Sequence, residues 1–218
     1  MNSLELPFEN RREAGRAVAQ RLAGYGSETL VLALPRGGVP VAAEVAKALN
    51  ANLDVFVIRK LGAPGQKELA LGAVASGGVR VLNDALVSHM GVSESELEKV
   101  SARERRELQR REQLYRGERA APVMEGRTVI LVDDGLATGA SMRAAVTAVQ
   151  QAKPEKLVAA VPVAAPDTCE ALSEEVDEVV CVATPTPFYG VGRWYTDFRQ
   201  VTDDEVRALL EPLPNKLT

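Results

Sequence analysis

The sequence has 218 residues, of which 46% are hydrophobic and 26% are charged, a composition typical of a globular protein with a substantial core. Its formal net charge of −4 gives no reason to expect nucleic acid or an anionic membrane surface as a partner. No apolar run approaches the roughly 18 residues of a membrane-spanning helix, so we expect neither a signal peptide nor a membrane span.

Two cysteines and one histidine restrict the chemistry further. Cys169 and Cys181 have the wrong number and spacing for a disulfide framework or a metal site. We expect both to be small buried hydrophobic residues in a reducing, cytoplasmic compartment. His89 is not accompanied by a GxSxG motif, which disfavours a hydrolase with a Ser-His-Asp triad.

The first 60 residues predict a helix followed by a βαβ unit. Apolar spacing indicates a helix over 8–23. A buried strand over 29–34, a helix over 39–49 and a second buried strand over 53–58 follow. We expect five charged residues of the first helix to be solvated: Arg11, Arg12, Glu13, Arg16 and Arg21.

A Pro-Arg-Gly-Gly turn after the first strand is a candidate anion site. Gly37 and Gly38 let the backbone approach a ligand closely, and Arg36 offers a bidentate fork for phosphate oxygens. A tight strand-to-helix turn also requires glycine, so a purely structural role stays open. Arg59 and Lys60, expected at the end of the next parallel strand, would add two cations at the same sheet edge.

Residues 61–127 interrupt the alternation of strands and helices. They contain a loop-like stretch, a β-hairpin and a long capped helix, at 61–68, 69–82 and 93–117. The basic residues of the helix alternate with glutamates, which favours a solvated, salt-bridged helix over a surface that binds an anionic ligand or RNA. An insertion of this length often covers a site as a flap.

The segment 127–152 is the most informative part of the chain. An apolar strand, Thr128–Val132, ends at the adjacent acids Asp133 and Asp134. A turn of small and hydroxylated residues and a helix follow. The free N–H groups and the dipole of a helix N-terminus favour an anion, so this stretch predicts a phosphate site.

The last 60 residues predict two further strands and an aromatic tail. Strands over 156–164 and 178–183 flank a helix over 167–175, and a capped helix covers 202–210. The intervening segment, 184–200, is rich in glycine, proline and aromatic residues. Such a loop suits a planar ligand by stacking, or packs against the sheet as a hydrophobic plug, and both interpretations stay open.

These motifs resemble those of a known family. The sequence VILVDDGLATGAS at 129–141 resembles the phosphoribosyl-pyrophosphate (PRPP) motif of the type I phosphoribosyltransferases. ALPRGGVPVAAEVAKAL at 33–49 resembles the family's pyrophosphate loop and the helix behind it. The resemblance spans roughly 8–197. More narrowly, 59–75 and 188–198 resemble a bacterial subgroup without a firmly assigned acceptor.

The resemblance implies a three-layer α/β fold of one domain, 1–218. A central, mainly parallel sheet of about five strands would be flanked by helices. The insertion 61–127 would form a flap or cover, and 184–200 would form a small hood. The family is commonly dimeric, and no pattern in the sequence decides whether this chain is a homodimer.

The resemblance also implies a reaction, in which PRPP and Mg²⁺ are used to transfer a phosphoribosyl group to a base-like nitrogen with release of pyrophosphate. Asp133 and Asp134 would bind the ribose hydroxyls, and together with Arg36 they would be the catalytic residues. The 5′-phosphate would be held by Ala137, Thr138, Gly139, Ala140 and Ser141, and the pyrophosphate by Arg36, Gly37, Gly38, Arg59 and Lys60. Mg²⁺ would be held mainly by the substrate, with Asp133 and Asp134 as the only candidate protein ligands. A cis or strained Pro35–Arg36 peptide is implied as well.

Departures from the family pattern bear on the acceptor. Members that use 6-oxopurines carry an aspartate where this chain has Ala137, which disfavours that class of base. Gly135 stands where a larger aliphatic residue is usual. We expect Phe188, Tyr189 and Trp194 to line the pocket that binds the acceptor base.

Two other functions compete with the transferase. The same fold serves non-catalytic regulatory proteins that bind PRPP or a nucleotide, so the fold alone does not decide. A P-loop nucleotide hydrolase would explain the acidic strand end, but the chain contains no GxxxxGK[ST] sequence.

Overall fold

The computed structural model describes residues 6–211, so both ends of the predicted domain, 1–5 and 212–218, lie outside the described residues. Within that range the strands are Leu30–Ala33 (β1), Asn52–Val55 (β2), Ile58–Ala63 (β3), Gln66–Ala75 (β4), Arg80–Leu82 (β5), Thr128–Val132 (β6), Lys156–Val163 (β7) and Glu178–Ala183 (β8). The α-helices are Arg11–Arg21 (α1), Gly38–Leu49 (α2), Asp84–His89 (α3), Glu94–Arg116 (α4), Ala140–Gln150 (α5), Pro166–Ser173 (α6) and Asp203–Leu210 (α7).

The central sheet has five parallel strands in the order β2-β1-β6-β7-β8, as predicted. After β1 the chain moves outward to β2 on one side, and after β6 it moves to β7 and β8 on the other. The order of the strands therefore reverses between β1 and β6. Ligands of open α/β sheets bind outside the carboxyl ends of the strands at such a switch point.

Apolar side chains cover both faces of this sheet. On one face, α1 and α2 bury residues such as Val18 and Val45 against alternate residues of β1 and β6. On the other face, α5 contributes Met142 and Val146, and α6 contributes Leu172. Because both faces are covered, the central strands are continuous apolar runs, and such runs could be predicted as strands from the sequence.

The segment between β2 and β6 differs from the prediction in two respects. The strand predicted over 53–58 ends at Val55, and the chain enters a second, antiparallel sheet of order β3-β4-β5 at Ile58. The loop predicted over 61–68 is wrong, because β3 and β4 pair across a tight turn at Pro64 and Gly65. The predicted hairpin is confirmed as β4 and β5.

Helix α4 is a long salt-bridged helix, as predicted, and its capping box of Ser93 and Glu96 is present. Its end is fixed by a buried ion pair in which Arg116 Nε lies 2.9 Å from Oδ2 of Asp54 in β2. Arg116 also donates to the carbonyl oxygen of Val55 at 3.2 Å. Even this helix is too polar to span a bilayer, and none of the helices between residues 6 and 211 meets the requirements for a membrane span.

The expectation of two buried, unpaired cysteines is wrong. Cys169 in α6 and Cys181 in β8 form a disulfide, and both residues are half-buried rather than buried. Helix α6 packs on one face of the sheet against β8, the edge strand, and this proximity across a separation of 12 residues was not visible in the sequence.

Loss of this disulfide is expected to lower stability. The disulfide closes a loop of 12 residues and so lowers the conformational entropy of the unfolded chain, which stabilises the folded protein by about 2–3 kcal/mol. We expect the variant Cys169→Ser with Cys181→Ser to lose that amount in urea unfolding. Dithiothreitol should lower the stability of the wild type and leave the variant unchanged. Two free thiols in the native protein as purified would contradict the bond.

Candidate functional site

The two candidate loops meet at the switch point between β1 and β6. The N–H of Leu34 donates to the carbonyl oxygen of Val132 at 2.9 Å, which extends the pairing of the two strands to the loops. A Cβ atom on Gly38 would lie 2.6 Å from the same oxygen, and one on Gly37 would overlap Oδ2 of Asp134. The Pro35–Arg36 peptide is cis, as predicted. The glycines therefore let the first loop pack directly against the acid pair.

Asp133 and Asp134 are both half-buried at this junction. Oδ1 of Asp133 accepts the backbone N–H of Asp134 at 2.8 Å. Burial raises the pKa of Asp133 well above its usual range, and the negative charge of Asp134 adds to that rise. Burial also raises the pKa of Asp134, while the guanidinium of Arg11 opposes the rise. The two carboxylates are therefore partly desolvated.

The prediction that Arg11 is solvated is wrong. Its side chain is buried, and its Nε lies 2.8 Å from Oδ2 of Asp134. Ala14 and Val18 follow Arg11 at helical spacing on the same buried face of α1, and this spacing is the sequence signal for the position. The other predicted arginines of α1, such as Arg12 and Arg16, are exposed.

Two aromatic residues of the tail complete the surroundings of Arg11. The hydroxyl of Tyr195 donates to the carbonyl oxygen of Asp134 at 2.6 Å. The ring of Phe198 lies beneath the guanidinium of Arg11, with its centroid 3.9 Å from Cζ. Tyr195 and Phe198 were not among the predicted site residues, because nothing in the tail sequence separates them from its other aromatic residues.

The predicted phosphate loop forms the turn from β6 into α5. Gly139 adopts a left-handed conformation with φ of 68°, and the first helical bond runs from the N–H of Arg143 to the carbonyl oxygen of Gly139 at 2.9 Å. The N–H groups before Arg143 therefore lack a partner within the helix. Most of the predicted contact residues are exposed to solvent, namely Ala137, Thr138, Ala140 and Ser141.

Thr168, which the sequence did not single out, supports this loop from α6. Its hydroxyl donates to the carbonyl oxygen of Ala137 at 2.7 Å. A Cβ atom on Gly139 would lie 2.8 Å from Cγ2 of Thr168, so the loop and α6 are closely packed. The next residue, Cys169, forms the disulfide with Cys181, which therefore ties α6, the helix that supports the loop, to β8.

Gly135, the departure from the family pattern, is explained by its contact with the tail segment. A Cβ atom at this position would lie 2.6 Å from a methyl group of Val191. The tail segment thus occupies the space that a larger residue at 135 would fill.

Arg36 directly precedes Gly37 in the first loop and is half-buried. Its Nη1 is 3.6 Å from Oδ1 of Asp203, the first residue of α7. The same oxygen accepts the hydroxyl of Tyr115 from α4 at 2.6 Å. The first loop is therefore linked to α4 of the insertion and to α7, which follows the tail.

Arg59 and Lys60 do not follow a parallel strand, contrary to the prediction, because they lie within β3 of the second sheet. Nη2 of Arg59 is 2.8 Å from Oε2 of Glu104 in α4, and Lys60 is exposed. Their assignment to the pyrophosphate stays a prediction without a structural argument.

The three residues predicted to line the acceptor pocket lie in two different environments. Phe188 and Trp194 stack on each other with their ring centroids 6.3 Å apart, and both pack against the core. Tyr189, in contrast, is 78% exposed. Phe188 and Trp194 thus have the environment of a hydrophobic plug.

The close packing of Gly38 gives a testable expectation. Gly38→Ala should destabilise the protein by about 1–3 kcal/mol, because the contacted atom belongs to the backbone of β6 and cannot rotate away. Gly24→Ala is the matched control, since a Cβ atom there meets nothing within 4 Å. Equal unfolding free energies for the two variants in urea would contradict the packing.

The chain is similar to known proteins in sequence and in fold. A family model described as "Phosphoribosyl transferase domain" matches residues 57–192. A protein of Mycobacterium tuberculosis H37Rv named "Putative phosphoribosyl transferase Rv0571c" is 47% identical over 205 residues. That alignment covers 94% of this chain and 46% of the relative, so the chain spans less than half the length of its curated relatives.

Among solved structures, the protein TT1426 from Thermus thermophilus is similar over almost its whole length. It is 47% identical, with a TM-score of 0.83, and the match covers 93% of this chain and 97% of that chain. Together with the matched domain and the loops at the switch point, these similarities show that the chain belongs to the phosphoribosyl transferase domain family.

Proposed function

We propose that the protein is a phosphoribosyltransferase that uses PRPP and Mg²⁺, transfers the phosphoribosyl group to a base-like nitrogen nucleophile and releases pyrophosphate. The observation that carries the proposal is the convergence of two loops at the switch point. An acid pair lies on one side of the junction, with an uncapped helix N-terminus in the same loop and the Arg-Gly-Gly turn opposite. A phosphorylated sugar with a second phosphate group matches this arrangement.

The donor would be bound at three places. Asp133 and Asp134 would accept hydrogen bonds from the two ribose hydroxyls, since ionised carboxylates are pure acceptors and a diol offers two donors. The segment 137–141 would bind the 5′-phosphate through its N–H groups and through the hydroxyls of Thr138 and Ser141. A phosphate there is favoured by the dipole of α5.

The leaving group would lie against the first loop. Gly37 and Gly38 would allow the pyrophosphate to approach the backbone, and Arg36 would form charge-assisted hydrogen bonds with its oxygens. At 3.6 Å the present pair of Arg36 with Asp203 is long, and both side chains are partly exposed. Exchanging this contact for a pyrophosphate therefore costs little.

Mg²⁺ fits the donor set at this site. The carboxylates of Asp133 and Asp134 and the oxygens of a pyrophosphate are hard ligands of the kind that Mg²⁺ prefers. Among the side chains that the structure describes, those of 6–66 and 69–211, no group of three or more from His, Cys, Asp or Glu is placed to hold a metal ion. Substrate oxygens and water would therefore supply most of its ligands. The bound ion would neutralise charge on the pyrophosphate.

In the reaction, the bond between ribose C1 and the pyrophosphate oxygen breaks and a bond between C1 and the acceptor nitrogen forms. The bonding electrons leave with the pyrophosphate, and the nitrogen releases its proton to solvent. The transition state resembles an oxocarbenium ion, so stabilising the leaving group and excluding water matter more than an acid–base dyad. Val191 and Tyr195, which pack against the acid-bearing loop, would provide that exclusion.

The acceptor class is restricted at one position. Ala137 carries no side-chain acceptor or charge, so it offers nothing to the ring nitrogens of a 6-oxopurine. We therefore propose an acceptor outside that class.

Pyrophosphate release tests the proposal. The purified protein is mixed with PRPP, Mg²⁺ and each member of a panel of purine, pyrimidine and pyridine bases, and pyrophosphate is measured. Release that depends on one base, with the matching nucleotide as product, is the expected result. Saturable PRPP binding without release across the panel would favour the regulatory alternative, and absence of PRPP binding would contradict both.

A further inference from the structure

Arg11 has an unusual environment for an arginine on a helix. It is the first residue of α1, and its guanidinium is held by three different partners. Nε donates to Oδ2 of Asp134 at 2.8 Å, and Nη1 donates to the carbonyl oxygen of Arg199 at 2.9 Å. The ring of Phe198 covers one face of the guanidinium at 3.9 Å. A planar fork fixed at both edges and on one face has a single orientation.

These contacts restrict the orientation of Asp134. One of its carboxylate oxygens is used by Arg11, which leaves the lone pairs of Oδ1 to accept a hydroxyl. The backbone of the same residue is fixed by Tyr195, whose hydroxyl donates to its carbonyl oxygen. Asp134 is therefore held by α1 through its side chain and by the tail through its main chain.

Helix α1 also packs on the core through apolar side chains. Ala14 and Val18 in the helix and its C-cap residue Leu22 are fully buried. Asn10 caps its N-terminus by accepting from the N–H groups of Arg12 and Glu13. The ion pair is thus an addition to a helix that already has its packing and its cap.

We propose that Arg11 is a positioning residue for ribose recognition. It fixes the Asp134 carboxylate so that one oxygen is free for a ribose hydroxyl, and it joins that carboxylate to Phe198 and Arg199 of the tail segment. This inference rests on the proposed function, because it assumes that the ligand carries a ribose diol.

The test compares a ligand that carries the diol with one that lacks it. Dissociation constants for PRPP and for pyrophosphate are measured by calorimetry with Mg²⁺ present, for the wild type and for Arg11→Met. We expect the dissociation constant for PRPP to rise about tenfold or more, the effect of one charge-assisted hydrogen bond, while that for pyrophosphate changes less than about twofold. A merely structural role would weaken both ligands alike.

Two further variants sharpen the result. Arg12→Met removes the same charge from the next residue, whose side chain is 61% exposed, and should change neither constant. Arg11→Lys keeps a charge but lacks the planar fork, so it should still lose most of the PRPP affinity; it carries the test if Arg11→Met does not fold.

The outcomes separate this inference from the function on which it rests. Unchanged or tighter PRPP binding by Arg11→Met would overturn the positioning role alone, and tighter binding would show that Arg11 competes with the ribose. Equal weakening of PRPP and pyrophosphate would also overturn it. A wild-type protein that binds pyrophosphate but not PRPP would overturn the proposed function, and this inference with it.

Discussion

Replacing both acids of the central motif, Asp133→Asn with Asp134→Asn, is expected to lower PRPP affinity by a factor of about 100 to 20,000. Each carboxylate that binds a ribose hydroxyl contributes a hydrogen bond to a charged acceptor, worth about 1.5–3 kcal/mol, and the two together give that range. Asparagine has nearly the same shape, so the backbone of the loop should be preserved. Calorimetric titration with PRPP and Mg²⁺ measures the change.

A matched control separates ligand contacts from net charge. Asp84→Asn with Asp167→Asn removes the same charge from two exposed residues outside the acid pair, and its PRPP affinity should equal that of the wild type. If the Asp133/Asp134 variant also bound PRPP as the wild type does, the assignment of the ribose site would be wrong.

Arg116→Met is expected to cost about 3–5 kcal/mol of unfolding free energy, because it leaves the carboxylate of Asp54 buried without its counter-ion. The side chains of Arg116 and Asp54 are only 8% and 9% exposed. Urea unfolding measures the loss. Since this pair joins the end of α4 to β2, the same experiment tests whether α4 is a fixed part of the fold.

Two comparisons make the result decisive. Arg110→Met breaks an exposed pair with Glu107 on the same helix and should cost less than about 1 kcal/mol. Combining Arg116→Met with Asp54→Leu should recover much of the lost stability, because no unpaired charge then stays buried. Equal losses for Arg116→Met and Arg110→Met would contradict the burial of the pair.

The sequence allowed the central sheet to be predicted because its strands are buried on both faces. Thr128–Val132 and Glu178–Ala183 were predicted with the bounds that the structure has, and the parallel order follows from the alternation of strands and helices. The run 53–58 was misjudged because an apolar sequence carries no mark of the point where the chain leaves one sheet for another. The hairpin at 64–65 was taken for a loop because Pro and Gly occur in both.

The parts of the candidate site that could be predicted are those contained in one short segment. The acid pair, the loop 137–141 and the Arg-Gly-Gly turn each depend on neighbours in sequence. Arg11 acts on Asp134 across 123 residues, and Thr168 supports Ala137 across 31. Such contacts are set by packing in three dimensions, and an arginine on a helix is usually solvated, so helical spacing alone did not outweigh that expectation.

The disulfide shows the same limit. Two cysteines 12 residues apart have no fixed relation in the sequence, and only the packing of α6 beside β8 brings them together.

A crystal structure of the protein with PRPP and Mg²⁺ would show directly whether the donor binds at the switch point. We expect the ribose hydroxyls on the carboxylates of Asp133 and Asp134, the 5′-phosphate in the loop 137–141, and the pyrophosphate against Gly37 and Gly38. PRPP bound with its 5′-phosphate away from that loop, or with its hydroxyls away from the acid pair, would contradict this expectation.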